Sequence, residues 1–319
     1  MNKIISFFKE ILIESYNTSI VLFKIMIPVS IFIKIFKETG LIIYIGNFFA
    51  PLMKYVGLPG ETGLVWATGI ISNLYGGIIA YFALSDSLSL NIAQITVMAT
   101  MMLIAHNFPV ELPVARKAGV RIGIIFSVRF FSAIIMGIFL NVIYHNFNLY
   151  QYKPVISIHP AAFQNPTLLQ WASGEIKNYI LIFFMILSLI FLLRILKKTG
   201  IIYHITKILS PVLNKLGIGE KAIPITIIGL TLGVAYGGAI IINESKNENI
   251  PKRDVFSSII LMGLCHSIIE DSLVMLSIGA NISGIIIGRM IFAFIFTWFI
   301  VKTTSKISSR YFLRFFVTK

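Results

Sequence analysis

Long runs of apolar residues, separated by short polar stretches, dominate the pattern of the chain. Runs at about 19–36, 62–84 and 120–144 are close to the roughly 20 residues that an α-helix needs to cross a bilayer. The apolar residues are continuous rather than alternating. This favours helices over a closed barrel as the way to satisfy backbone hydrogen bonds in lipid. The pattern therefore predicts an all-α, polytopic helical membrane protein.

Some polar interruptions predict breaks inside helices. The run at 41–56 contains an asparagine, a proline and a lysine, and is expected to be an interfacial helix. The run at 62–84 contains Asn73, Gly76 and Gly77 near its centre, where two glycines weaken a helix. We predict a broken or re-entrant helix here, with the glycine pair as a hinge. Close packing against a neighbouring helix is an equal alternative for these glycines.

The second half of the chain repeats the first at an offset of 160 positions. This many coincidences at one offset indicate an internal duplication. The matching pairs are Thr39/Thr199, Gly40/Gly200, Pro51/Pro211, Gly57/Gly217, His106/His266, Glu111/Asp271, Gly119/Gly279 and Arg129/Arg289. The stretch Tyr75-Gly76-Gly77 matches Tyr236-Gly237-Gly238 after a slip of one residue, so Gly237 and Gly238 are a second predicted hinge.

The duplication divides the chain into five predicted parts. These are an N-terminal amphipathic segment (1–17), a first repeat (18–144), a linker (145–176), a second repeat (177–301) and a basic tail (302–319). The linker is poor in basic residues and the tail is rich in them. By the positive-inside rule, the linker is therefore extracytoplasmic and the tail cytoplasmic.

The charges also predict that the two repeats are inverted. Arg116, Lys117 and Arg121 precede the last helix of the first repeat, whereas the matching positions of the second repeat are uncharged. The two last helices should then cross in opposite directions, as in many transporters. Lys34 and Lys37 do not fit this arrangement. An inverted repeat needs an odd number of crossings, so one of about four apolar runs in each half is expected to be re-entrant or a hairpin.

Composition narrows the function further. The chain is 57% hydrophobic and 13% charged, with a net charge of +14, and its basic residues cluster at the ends of apolar runs. This is typical of membrane anchoring rather than nucleic-acid binding. The single cysteine, Cys265, excludes an intrachain disulfide. Phosphate-binding loops and nucleophile elbows are absent from the sequence, so neither an enzyme nor a cofactor is expected. The expected surroundings are the lipid bilayer of the inner (cytoplasmic) membrane and a small solute or ion, and a homo-oligomer is compatible with the sequence.

Ionisable residues at membrane depth are the candidates for function, since each charge there costs several kcal/mol. His266 and Glu270 have the i, i+4 spacing that would place them on one helical face. The predicted binding residues are Asn73, His106, Asn107, Glu111, Arg129, His266, Glu270, Asp271 and Arg289.

Three interpretations of this set remain open. Imidazoles with carboxylates suit a divalent metal such as iron, manganese or zinc, with His106, Glu111, His266, Glu270 and Asp271 as ligands. The amides and carboxylates also suit the polar edges of a nucleoside. Alternatively, the acidic residues only pair with the two arginines and hold the halves together. Proton coupling is compatible with either transport interpretation, because a histidine beside a carboxylate titrates near physiological pH.

Two copies of a glycine-broken helix, each followed by a helix that ends in a polar turn, resemble the Gate, or nucleoside-recognition, domain. That domain is shared by concentrative nucleoside transporters, the membrane part of ferrous-iron transporter B and spore-maturation membrane proteins. Glu111-Leu112-Pro113 is similar to the Glu-x-Pro turn that holds nucleosides in such transporters. The resemblance implies a ligand-binding role for Glu111, with His106 and Asn107 in its approach.

The chain also departs from those proteins. The second repeat has Glu270-Asp271-Ser272 where the first has the proline turn, and a GTPase domain is absent from the sequence. The expected function is transport of a small polar solute or ion through a midplane site between the repeats. A divalent metal and a nucleoside are the leading substrates. The alternative is a non-transporting membrane partner or regulator.

Overall fold

The described residues of the first half of the chain form seven helices. In this computed structural model, residues 2–85, 88–154, 167–199, 201–233, 240–244 and 250–318 are described. The first seven helices are α1 (Asn2–Glu38), α2 (Leu41–Tyr55), α3 (Thr62–Ile71), α4 (Leu74–Leu84), α5 (Ile92–Ile104), α6 (Phe108–Lys117) and α7 (Ile122–Asn146).

The second half forms a matching series. The helices whose two ends are described are α8 (Leu168–Lys198), α9 (Ile201–Lys215), α10 (Ile223–Leu232), α11 (Lys252–Leu264), α12 (Glu270–Ser277), a π-helical stretch (Ser283–Gly288) that continues into α13 (Arg289–Ser305), and α14 (Ser309–Phe316). Helices α9 and α11 begin and end 160 positions after α2 and α5, so the internal repeat of the sequence is also a repeat of elements.

The described part of the chain is helical apart from turns and one isolated bridge between Val120 and Val317. Among the described residues, five helical stretches are long and apolar enough to cross a membrane. They are Ile5–Glu38, Ile92–Lys117, Ile122–Asn146, Leu168–Leu192 and Ser283–Ser305. The predicted all-α membrane protein is confirmed.

The N-terminal region differs from the expected surface segment followed by a separate spanning helix. Residues 2–38 form one continuous helix, α1. Neither proline nor glycine occurs between its start and Pro28, so nothing in the sequence forces a break after residue 17. Arg194 of α8 pairs with Glu10 and Glu14 of α1, at 2.8 and 2.6 Å, and joins the two long helices.

The glycine-containing run is broken where it was predicted to be, and it folds back on itself. Helix α3 ends at Ile71, and the Asn73 side chain accepts a hydrogen bond from the Gly76 N–H at the start of α4. A Cβ on Gly77 would lie 3.3 Å from the Cα of Gly69, eight residues earlier. A straight helix would separate these residues by about 12 Å, so α3 and α4 form a helical hairpin. The second predicted hinge, Gly237-Gly238, lies outside the described residues.

The last helices of the two halves run antiparallel. At one end, the Tyr144 hydroxyl near the end of α7 lies 2.9 Å from the Ser283 hydroxyl, just before α13. At the other end, Arg121 before α7 donates to the carbonyl of Val317, in the tail after α13. The start of the stretch that contains α13 therefore meets the end of α7, and the tail that follows α13 reaches the start of α7. The inverted arrangement of the halves relative to a bilayer stays a prediction.

Candidate functional site

Each histidine lies in a sharp turn between two helices. Helix α5 ends at Ile104 and α11 at Leu264, and the residues after the histidines, Asn107 and Ser267, have left-handed φ values of 53° and 46°. The chain leaves the helix axis at these residues before α6 and α12 begin. Both turns thus bring an imidazole to the end of a broken helix.

The two imidazoles face each other through equivalent atoms. His106 Nδ1 lies 2.8 Å from the carbonyl of Met102, and His266 Nδ1 lies 2.9 Å from that of Met262. A carbonyl can only accept, so both Nδ1 atoms carry the proton and donate it. In its neutral form, each ring then presents an unprotonated Nε2. These two Nε2 atoms are 3.4 Å apart.

Two carboxylates complete the arrangement. Glu111 Oε1, from the first turn of α6, lies 3.6 Å from Nε2 of His106 and 3.2 Å from Nε2 of His266. Asp271 Oδ2, from the first turn of α12, lies 3.8 and 3.9 Å from the same two atoms. These two nitrogens and two oxygens are called the four-donor cluster below. His106, Glu111 and His266 are only 5%, 8% and 2% exposed.

The two arginines close the ends of the broken helices. Arg129 donates from Nε to the carbonyl of Ile104 and from Nη2 to that of His106, at 2.8 and 3.0 Å. Arg289 donates in the same way to Leu264 and His266, at 3.1 and 2.8 Å. Helix-end carbonyls have no intrahelical donor, and water is absent from the hydrocarbon region. Each guanidinium therefore satisfies the end of the helix that carries its histidine.

The halves differ in how the carboxylate is held. Arg129 Nη1 forms a buried ion pair with Glu111 Oε2. In the part of the chain that is described, Arg289 Nη1 and Asp271 Oδ2 are buried and have no hydrogen-bond partner. Arg129 therefore balances the charge of Glu111 directly. The Asp271 oxygen in the four-donor cluster instead has no hydrogen-bond donor among the described residues. Buried carboxylate oxygens usually have such a partner.

Three other predicted residues lie around the cluster in different roles. The Asn107 N–H donates to the carbonyl of Gly69, so the first turn is attached to the α3–α4 hairpin. Asn73 caps α4, and its ligand-binding role stays a prediction. Glu270 begins α12, but the left-handed Ser267 interrupts the helix after His266. The i, i+4 spacing in the sequence predicted that Glu270 and His266 lie on one helical face. Because the helix is interrupted between them, this prediction is wrong.

Sequence reasoning did not find the backbone part of the site. The carbonyls of Met102 and Met262 fix the imidazole tautomers, and the carbonyls of Gly69 and Leu230 hold the two turns. The contacts with Met102 and Met262 could have been predicted from the sequence, because a histidine at a helix end lies within reach of the carbonyl four residues before it.

The geometry of the cluster matches that of a metal site. Two ligands at about 2.0–2.1 Å from a tetrahedral metal lie about 3.3 Å apart, close to the separation of the two Nε2 atoms. His106, His266 and Asp271 offer ligand atoms that all lie within 4.8 Å of one another. The Asp271 oxygen lies farther from the two Nε2 atoms than two such ligands lie from each other, at 3.8 and 3.9 Å, and the Glu111 oxygen lies at 3.6 and 3.2 Å from them.

Comparison with known proteins supports the resemblance. Residues 19–120 match the Gate family, which is described as nucleoside recognition. The chain is also similar to the uncharacterized membrane protein YvoD of Bacillus subtilis (strain 168), with 27% identity over 298 residues, which are 92% of this chain and 94% of YvoD. No solved structure matches the chain. The predicted Gate resemblance is confirmed, and similarity to a membrane protein extends over nearly the whole chain.

Proposed function

We propose that this Gate-domain membrane protein is a transporter, and that it moves a divalent transition-metal ion through the four-donor cluster between its two halves. The observation that carries the proposal is the pair of opposed imidazoles. Both Nδ1 protons are held by backbone carbonyls, so both Nε2 lone pairs point at one place, 3.4 Å apart. One carboxylate oxygen from each of the matching helices lies within 3.9 Å of both Nε2 atoms.

The chemistry of the donors favours one class of ion. Imidazole with carboxylate suits iron, manganese and zinc, whereas magnesium and calcium prefer sites built only from oxygen. The charges around the donors also matter. Arg129 already neutralises Glu111, whereas no arginine among the described residues forms an ion pair with Asp271. A divalent cation therefore meets one carboxylate that no arginine neutralises. This limits the affinity, as release into the next compartment requires.

A nucleoside is the second candidate, because the matched family is described as nucleoside recognition. The space between the two imidazole rings is too small for this substrate. The ring centroids of His106 and His266 are 5.0 Å apart, which is less space than a base stacked between them would need. Binding a nucleoside would require the two turns to separate, whereas the two Nε2 atoms already have the separation of two ligands of one ion.

Movement of an ion requires access to a buried site. The Asn107 N–H bonds to the carbonyl of Gly69, and the Ile268 N–H bonds to that of Leu230. Each histidine turn is thus attached to the helix that precedes a break in its own half. We expect alternating access to arise when one attachment opens while the other stays closed.

The binding step is tested by thermal unfolding of the full chain in a neutral detergent. Ferrous, manganese and zinc salts, magnesium as a non-binding comparison, and uridine and adenosine are added separately. A true ligand raises the unfolding temperature by mass action. We expect a rise with at least one transition metal, and loss of that rise in His266→Ala.

His145→Ala is the matched control, because His145 is exposed at the end of α7 and far along the chain from the cluster. It should keep the full metal-dependent rise. A rise with nucleosides and none with metals would reject the metal substrate. Absence of any rise would favour the alternative of a non-transporting membrane partner.

A further inference from the structure

A cationic cavity lies on the face of the molecule that carries the basic tail, away from the four-donor cluster. It has a volume of about 350 Å³ and lies between the end of α9, the start of α11 and the end of α13. The residues that give it its character are Lys215, Arg253, Asp254, Trp298 and Lys302. Three cations face one carboxylate, so the cavity has an excess of positive charge.

Arg253 is a fixed part of the wall. Its guanidinium donates to the carbonyls of Thr304 and Ile307, both at 2.6 Å, and lies 4.4 Å from the centre of the Phe312 ring. Carbonyls and rings leave its full charge uncompensated. Lys215 and Lys302 are exposed, and Lys302 Nζ lies 4.5 Å above the Trp298 ring.

The cavity opens onto an apolar stripe of α13. Ile291, Ile295 and Trp298 are 55%, 62% and 45% exposed, and their spacing of four and three residues places them on one helical face. The same spacing, continued by four residues, reaches Lys302. The stripe therefore leads from the membrane-spanning part of the helix directly to the cations.

The duplicated half provides an internal comparison. The positions 160 residues before Lys215, Arg253, Trp298 and Lys302 are occupied by Tyr55, Ala93, Ile138 and Val142. The equivalent place in the first half thus has no cation at these four positions. The charge is a property of one face and not of the repeated fold.

We propose that this cavity binds the phosphate headgroup of an anionic phospholipid, whose acyl chains lie along the apolar stripe of α13. Basic pockets between membrane helices are suited to such headgroups, and a cavity of this volume is within the range of small-molecule sites. The tryptophan adds the amphipathic ring that is common at the membrane interface. The site is independent of metal binding.

The test uses the full chain in a neutral detergent and follows its unfolding temperature. Phosphatidylglycerol, phosphatidylcholine and glycerol 3-phosphate are titrated separately. Phosphatidylglycerol should raise the unfolding temperature, phosphatidylcholine should not, and glycerol 3-phosphate should act weakly because it lacks the chains. If glycerol 3-phosphate is as effective as the lipid at the same concentration, the site is one for free phosphate esters and the lipid assignment is wrong.

Two double variants decide whether the cavity is responsible. Lys215→Gln with Lys302→Gln should raise the lipid concentration for half-maximal stabilisation about fivefold for each lysine removed. Lys117→Gln with Lys306→Gln removes the same charge from exposed positions on the same face, and should leave it unchanged. The proposal would be overturned if both double variants needed equally more lipid for half-maximal stabilisation, or if Lys215→Gln with Lys302→Gln needed no more lipid than the parent.

Lys302→Arg is a control that separates loss of the charge from an effect of the substitution on folding. It keeps the charge and should keep the response to phosphatidylglycerol, whereas Lys302→Gln should weaken it. Both variants should unfold at the same temperature as the parent without lipid, because the Lys302 side chain is exposed.

Discussion

Arg129 and Arg289 occupy equivalent positions and bind equivalent carbonyls, but their charges are used differently. Arg129 also pairs with Glu111, whereas Arg289 Nη1 has no hydrogen-bond partner among the described residues. Both side chains are essentially fully buried. Removing one member of a buried pair leaves an uncompensated charge, which costs more than the pair itself contributes.

We therefore expect Arg129→Met to destabilise the protein by about 3–5 kcal/mol. The Glu111 carboxylate and two helix-end carbonyls would then be left without their donor. Unfolding in detergent measures the loss. Arg289→Met is the matched control and should cost less, since it removes the carbonyl contacts without breaking an ion pair. A larger loss in Arg289→Met would contradict this account of the two arginines.

The neighbouring carboxylates Glu270 and Asp271 offer a sharper test at the residue scale. The four-donor cluster takes its oxygen from Asp271, because the turn at Ser267 directs that side chain toward the imidazoles. Asp271→Asn should abolish the metal-dependent rise in unfolding temperature, whereas Glu270→Gln should retain most of it. The reverse result would show that the helical-face pairing of His266 with Glu270 was correct.

Many of the candidate site residues can be predicted from the sequence because they occur in both repeats. His106 and His266 are rare polar residues at membrane depth, and each confirms the other. The choice between Glu270 and Asp271 could not be made in this way. It depends on one left-handed residue, Ser267, and a serine gives no signal of positive φ comparable to that of a glycine.

At the scale of elements, the α3–α4 hairpin depends on close contact between its two helices. A Cβ on Gly77 would overlap the Met102 side chain and lie 3.3 Å from both the Gly69 Cα and the Val65 carbonyl oxygen. The methionine can move aside, but the backbone atoms cannot. The packing alternative for this glycine therefore has direct support, while its role as a hinge stays a prediction.

Gly77→Ala should destabilise the protein by about 1–3 kcal/mol, because it forces the helices of the hairpin apart. The free energy of unfolding in detergent measures the effect. Gly123→Ala is the control, since Gly123 lies in α7 with nothing within 4 Å of its added Cβ. That variant should be neutral or more stable by up to about 1 kcal/mol. Similar behaviour of the two variants would contradict the close contact.

The break at Ser72-Asn73 could be predicted from the sequence, but its consequence could not. A capping asparagine and two glycines indicate a helix end in either case. Whether the chain continues across the membrane or turns back depends on which side chains meet afterwards. Here the small residues at 69 and 77 allow the return, and that contact is visible only in three dimensions.

At the scale of the whole molecule, the two halves meet through their broken helices. The two histidine turns lie side by side. The end of α7 contacts the stretch before α13 at one face, and the start of α7 contacts the tail after α13 at the other face. The tail after α13 returns to the start of α7, where the Thr318 N–H donates to the carbonyl of Gly119. Positive residues from both halves are thereby collected at one face.

This arrangement predicts which residues share a side of the membrane. After Cys265→Ser, the single variants Lys117→Cys and Lys306→Cys should both react with an impermeant thiol reagent from the cytoplasmic side, and Tyr152→Cys from the other side. The positive-inside rule gives the sides, and the contacts give the grouping. Reaction of Lys117→Cys and Lys306→Cys from opposite sides would contradict the inverted arrangement.

The offset of 160 residues predicts two units, and the charges predict that the two units cross the membrane in opposite directions. The sequence could not place the imidazoles at 3.4 Å, because that distance depends on how the two units pack. Symmetry brings equivalent residues together only when they lie close to the axis that relates the halves.

The central claim is that the four-donor cluster lies on a path for divalent transition metals. Uptake of radioactive manganese and iron into proteoliposomes tests it most directly, with the protein reconstituted at equal amounts. The parent protein and His145→Ala should take up at least one of these ions, and His106→Ala with His266→Ala should not exceed empty vesicles. Equal uptake by the parent and the double histidine variant would contradict the claim.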